Sequence, residues 1–161
     1  MRYIWVIRHA KSADGNKDHA RPLNKRGQDD AARMQAWYAA RNHPAEWIWA
    51  SSAVRAQQTA EFVAAGFGAR LVTEPDLYLS GAETLLDCLR GTPEEIQSVA
   101  VVAHNPGLTY LVNLLGVDNI TDNLPTLGSA LFATENSWSN LAFGVNHFIS
   151  LNTPKSIGAP E

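Results

Sequence analysis

Two periodicities alternate regularly along this 161-residue chain, and no other feature limits its possible folds as tightly. Short apolar runs at 3–7, 47–50, 71–73 and 99–103 combine β-branched and aromatic side chains, the pattern of buried strands. Between them, apolar residues recur at helical spacing. Ala31, Met34 and Tyr38 form one such face, and Val54, Phe62 and Val63 lie on a second. Leu85, Leu86 and Leu89 mark a third, and Leu108, Leu111, Val112 and Leu115 a fourth. Two more strand-like runs, 129–134 and 145–151, close the chain around a turn that carries Trp138. Strand–helix alternation requires right-handed crossovers. The expected fold is therefore α/β: a three-layer α/β/α sandwich around a mostly parallel sheet. Helix starts are expected at Asn24, at Ser51-Ser52, at a Ser80…Glu83 capping box, and at Asn105 with Pro106 in the first helical position. Gly66 is expected to end the second helix.

Composition sets the outer bounds. An apolar fraction of 45% and a charged fraction of 18% fit a single globular domain over residues 1–161, with a loose tail from about residue 154. The net charge is −3, and no block of Lys and Arg is interleaved with aromatics, so nucleic acid is not an expected partner. The apolar run before Arg8 is only five residues long, too short for a signal peptide core or a membrane span. The lone Cys88 allows no intramolecular disulfide. These readings point to a cytoplasmic monomer without membrane contact, in which Cys88 is a small buried hydrophobe.

In a parallel sheet, ligands bind beyond the carboxyl ends of the strands. Three strand-to-helix junctions place polar residues at that edge. Arg8 and His9 follow the first strand directly, Ser51, Ser52 and Arg55 follow the second, and His104 follows the fourth. Two guanidiniums and two imidazoles make an anion site, and forked arginine donors match phosphate oxygens. A neutral imidazole in such surroundings can attack phosphorus, while the positive charge stabilises the developing phosphoryl oxygens. Metal binding is the competing use of two histidines. It lacks a third ligand here, and the arginines would repel a cation, so neither a metal nor another cofactor is expected. His19, His43 and His147 are read as surface or satisfied core residues.

With these residues in place, the chain resembles the histidine phosphatase superfamily, which has a phosphoglycerate mutase-like fold. It most resembles the small SixA-type phosphohistidine phosphatase branch. "VIRHAKS" corresponds to the superfamily signature, "SSAVRAQQTA" to its second block and "VVAHNPGL" to its third, while "RPLNKRG" resembles a stretch of the SixA-type branch. The similarity runs from about residue 1 to about residue 153. It implies that His9 is a nucleophile that becomes phosphorylated and that Arg8, Arg55 and His104 line the phosphate pocket. Arg21 would add a phosphate or substrate contact, unless it is a solvated loop arginine.

Two positions depart from the family pattern. Ala103 stands where a Gly often precedes the histidine. The segment that carries a Glu or Asp proton donor in larger members reads "PDLYLSGAET", with Asp76 and Glu83 its nearest acids. Glu83 is a possible donor, although capping with Ser80 is the favoured role. Alkoxide leaving groups need a general acid, whereas the labile P–N bond of phosphohistidine tolerates its absence. The expected function is dephosphorylation of phosphohistidine on a signalling or phosphotransfer protein. The alternatives are a small-molecule phosphomonoesterase of the same superfamily and a non-catalytic phosphate-binding module.

Overall fold

The computed structural model describes residues 1–158. Six strands form one sheet: β1 (Arg2–Arg8), β2 (Trp47–Ala50), β3 (Arg70–Thr73), β4 (Ser98–Ala103), β5 (Ser129–Thr134) and β6 (His147–Asn152). Four α-helices connect them among the described residues: α1 (Lys25–Ala39), α2 (Val54–Phe67), α3 (Ala82–Arg90) and α4 (Gly107–Leu115). Single 3-10 turns lie at Asp18–Ala20, Pro75–Leu77 and Trp138–Asn140.

The strand order is β3-β2-β4-β1-β5-β6. The first four strands are mutually parallel, β5 runs antiparallel to β1, and β6 runs antiparallel to β5. The sheet is thus mostly parallel, as the alternation requires. The continuous apolar run of β1 also has its explanation, because side chains alternate between two buried faces. Trp5 and Ile7 enter a core with Ala31, Met34, Tyr38 and Val63 of α1 and α2. Ile4 and Val6 enter a second core with Leu85, Leu89, Leu108, Leu111 and Trp138. Every residue of β4 and β5 is buried. The buried indole N–H groups of Trp5 and Trp138 donate to the carbonyls of His43 and Ile96, at 2.9 and 2.7 Å. No helix is long and apolar enough to cross a membrane among the described residues.

Asn24 caps α1 as expected, its Oδ1 accepting the Gly27 N–H at 2.8 Å. The other helix ends depart from the sequence reading. Helix α2 has Ala53 as its N-cap with no side-chain cap; Ser51 lies two residues before it, its Oγ bonded to His104 and accepting the Ala53 N–H at 3.3 Å. The same helix runs past Gly66 and stops at Gly68, which takes the left-handed conformation at φ 74°. Gly66 serves the helix crossing instead: a Cβ there would lie 2.6 Å from the Gln35 carbonyl oxygen on α1. Helix α3 starts after Gly81 without a side-chain cap, since Ser80 donates its hydroxyl to the Leu77 carbonyl. The Ser80…Glu83 capping box therefore does not form. Helix α4 begins at Gly107 with Pro106 as its N-cap, one residue later than expected. Asn105 still serves it from outside, accepting the Thr109 N–H at 3.2 Å.

Strand β6 starts at His147 rather than 145. The tail is tied down through Gly158: Pro154 is buried, and Arg33 donates to the carbonyls of Pro154, at 2.8 Å, and Gly158. The remainder of the expected loose tail, 159–161, lies outside the described residues.

Candidate active site

Register brings the three junctions together. Arg8 pairs with Ala103, and Ala50 pairs with Val102, so β1, β2 and β4 end side by side. The last residue of β1 and the residue after it are then held by main-chain bonds. The His9 N–H donates to the Ala103 carbonyl at 3.2 Å, and the Leu127 N–H donates to the Arg8 carbonyl at 2.9 Å. Helix α2 fixes the following segment, because Thr59 accepts the Ala10 N–H at 2.9 Å and Gln58 accepts the Leu23 N–H at 2.8 Å. Close packing completes the mount: a Cβ on Gly27 would lie 2.0 Å from the Lys11 carbonyl oxygen.

The result is a cleft of about 710 Å³ lined by, among others, Arg8, His9, Asp18, Arg21, Arg55 and His104. Arg8, His9, Arg55 and His104, expected from sequence to converge, do so, and Arg21 joins them. His9, Arg55 and His104 are 7%, 3% and 2% exposed. The two imidazole centroids are 5.2 Å apart. His9 Nδ1 lies 2.7 Å from the Ala10 carbonyl oxygen. A carbonyl only accepts, so Nδ1 carries the proton, and Nε2 of the neutral ring keeps its lone pair. Burial pushes the His9 pKa down to about 4, assisted by the charges of Arg8, Arg55 and Arg21 and opposed by the Ala10 bond. His104 is lowered to about 3 by burial, then by His9 and Arg55. Its Nε2 is bonded to Ser51 Oγ at 2.8 Å, and its Nδ1 has no partner among the described residues. Both rings are neutral at physiological pH. The Nε atoms of Arg8 and Arg55 are likewise buried without partners among the described residues.

Asp18 escaped the sequence reading, yet it organises this cleft. Its backbone carbonyl accepts Arg55 Nη1 at 2.8 Å, and its Oδ2 accepts Arg55 Nη2 at 3.1 Å. Its Oδ1 accepts Arg21 Nε at 3.1 Å and pairs with Nη2 at 3.0 Å, while the Tyr78 hydroxyl donates to Oδ2. The Tyr78 hydroxyl and the two guanidiniums hold this carboxyl down at about 2. Three segments thus meet at one carboxylate, and Arg55 is fixed while its Nε stays free. The only sequence hint was the three-residue spacing of Asp18 and Arg21; the link to Arg55 spans 37 residues. Arg8 makes no carboxylate contact among the described residues, donating instead to the Leu124 carbonyl at 3.0 Å.

The acids singled out from sequence lie elsewhere. Glu83 is exposed on the first turn of α3 and does not line the cleft. Asp76 lines a separate groove with Glu74, Asp87 and Cys88. Burial, with Glu74 and Asp76 nearby, pushes the Cys88 thiol up to about 12.

Comparison with known proteins agrees with this architecture. A model of the histidine phosphatase superfamily (branch 1) matches residues 4–78. The phosphohistidine phosphatase SixA of Escherichia coli K12 is 31% identical over 114 residues, 68% of this chain and 71% of that protein. An uncharacterized protein of Mycobacterium tuberculosis H37Rv is 27% identical over 160 residues, 92% of this chain and all (100%) of the relative. Among solved structures, the protein histidine phosphatase SixA complexed with tungstate superposes with a TM-score of 0.82 at 25% identity, covering 96% of this chain and 99% of that one. In both sequence and fold, then, the chain belongs to the histidine phosphatase superfamily, within its SixA-type branch, and is a phosphatase.

Proposed function

We propose that the enzyme removes phosphate from phosphohistidine on a signalling or phosphotransfer protein, through a phosphohistidine intermediate on His9. The observation that carries this reading is the Nδ1–H bond from His9 to the Ala10 carbonyl, made among three arginines. That bond leaves Nε2 with its lone pair. It also stabilises the positive ring formed once Nε2 is phosphorylated. In the first step, Nε2 bonds to phosphorus while the substrate's P–N bond breaks, its electron pair returning to the departing imidazole. That imidazole leaves neutral when its far nitrogen already carries a proton. Water then attacks phosphorus, the Nε2–P bond breaks with its pair returning to His9, and the water's proton passes to solvent. Arg8 and Arg55 hold the equatorial oxygens in both steps, with Arg21 and His104 completing the pocket.

The carboxylates support a P–N rather than a P–O substrate. Asp18, held at about 2, has no proton to give at neutral pH, and Glu83 lies outside the cleft. Cleavage of an alkyl phosphomonoester would leave an alkoxide that neither Asp18 nor Glu83 can protonate, and the one other cleft carboxyl among the described residues, Asp14, is exposed at the surface. An imidazole leaving group needs no acid.

The test compares a histidine-phosphorylated phosphotransfer protein with an aryl phosphate, for wild type and His9→Ala. Wild type should favour the phosphoprotein and form an acid-labile phosphoenzyme. His9→Ala should lose turnover by roughly a thousandfold or more. Equal turnover by the two proteins would overturn the reading. A preference for sugar phosphates that collapses in Glu83→Ala would establish the phosphomonoesterase alternative.

A further inference from the structure

The mouth of the cleft contains one residue that packing does not account for. Leu79 is 56% exposed and, among the described residues, is the only large apolar side chain lining the cleft. Its backbone lies in the left-handed region at φ 52°, a conformation that suits glycine and penalises a branched side chain. Leu127 adopts the same region at φ 56° but is 1% exposed, so core packing explains it. No comparable return exists for Leu79.

The segment around Leu79 is fixed from three sides. Leu77 is fully buried, and the Tyr78 hydroxyl is bonded to Asp18. The Ser80 carbonyl presses on α4 so closely that a Cβ on Gly107 would sit 2.1 Å from its oxygen. The neighbours therefore hold a leucine, in a backbone state it disfavours, beside a cleft whose other lining, Ala13 apart, is polar. Backbone strain that surrounding structure maintains at a binding cleft is a mark of function. Directly behind it, the Tyr78 ring packs edge-on against His104 and His19, at centroid distances of 5.6 and 4.8 Å. The rim cannot swing inward without displacing those rings.

We infer that Leu79 is a specificity-determining residue: it contacts an apolar side chain flanking the phosphohistidine of a protein substrate, and favours such substrates over small phosphoramidates. The inference rests on the phosphohistidine reading above. The contact lies outside the phosphate cage, so it contributes binding energy that a small substrate cannot use.

The experiment measures kcat and KM for wild type, Leu79→Gly and Leu79→Asn on a histidine-phosphorylated phosphotransfer protein and on phosphoimidazole, with thermal unfolding of each variant. Both replacements tolerate the left-handed backbone, and Asn keeps a side chain there. The ratio of kcat/KM for the protein to that for phosphoimidazole should fall about tenfold, through KM, as expected for losing contact with part of a leucine. The unfolding midpoint should stay level or rise by about a few degrees, since the strain is released. An unchanged ratio, or equal losses on both substrates, would overturn the inference. Hydrolysis of phosphoimidazole but not of the phosphoprotein by wild type would overturn the phosphohistidine-protein reading and this inference with it. The first two outcomes leave that reading standing, so the failures are distinguishable.

Discussion

Asp18 is the residue whose chemistry is least expected in a phosphate cleft. A carboxylate there repels the incoming anion, yet this one aligns two of the arginines that would receive it. The two effects are separable. Asp18→Asn keeps an oxygen acceptor for the guanidiniums and removes the charge, whereas Asp18→Ala removes both. Orthophosphate should inhibit Asp18→Asn about threefold to tenfold more strongly than wild type, because the cleft gains net positive charge. Asp18→Ala should instead lose about tenfold in kcat/KM, as Arg55 and Arg21 lose their shared carboxylate partner and keep only their bonds to backbone and Ser12. Weaker phosphate inhibition of Asp18→Asn would show that alignment outweighs repulsion. Sequence disclosed the cleft unevenly at this scale. Arg8 ends its strand and His9 and His104 directly follow strand ends, so parallel register alone fixes where they meet, and Arg55 lies in the first turn of the next helix. Asp18 and Leu79 sit in connections whose paths are set by contacts with Arg55, Tyr78 and Gly107, which no local pattern encodes.

The strands themselves were legible almost to the residue, since β2 and β5 coincide with their apolar runs and β1 extends its run by one residue at each end. Helix ends were less so, because capping side chains are shared with the site. Ser51 is bonded to His104 and reaches only the Ala53 N–H, and Ser80 turns back to Leu77, so neither caps the helix that follows it. Glycines reveal how firmly these elements press together. Gly107 opens α4, and its missing Cβ lets the Ser80 carbonyl pack against the helix. Gly107→Ala sets helix propensity, worth about 1 kcal/mol in favour of Ala, against a clash of Cβ with backbone oxygen. Overpacking against a main-chain atom costs about 1–3 kcal/mol, and the clash should win. The variant should unfold at lower denaturant with an unchanged m-value and lose turnover, because the loop carrying Leu79 and the turn after His104 move apart. A stabilised, fully active Gly107→Ala would show that this contact is slack.

Over the whole molecule, two cores share one sheet, and both imidazoles of the cleft are buried where those cores meet the solvent edge. Such a placement couples folding to acid. His9 and His104 titrate at about 4 and about 3 when folded, below the ordinary histidine value of 6.5. The unfolded chain therefore binds protons that the native state refuses as the pH falls through that ordinary value. Stability should be full above pH 6.5 and decline from there to about pH 3, where the folded rings also protonate. Asp18, lowered from 3.8 to about 2, adds a further loss between those two values. Its exposure makes that share the smaller one. Thermal unfolding followed from pH 8 to pH 4 should show a falling midpoint, with most of the fall below pH 6.5. His104→Asn, which removes one of the two buried bases, should flatten that slope while leaving its sign unchanged. A midpoint that stays level or rises on acidification would mean that the rings protonate in the native state, and that burial and the neighbouring arginines do not hold them neutral.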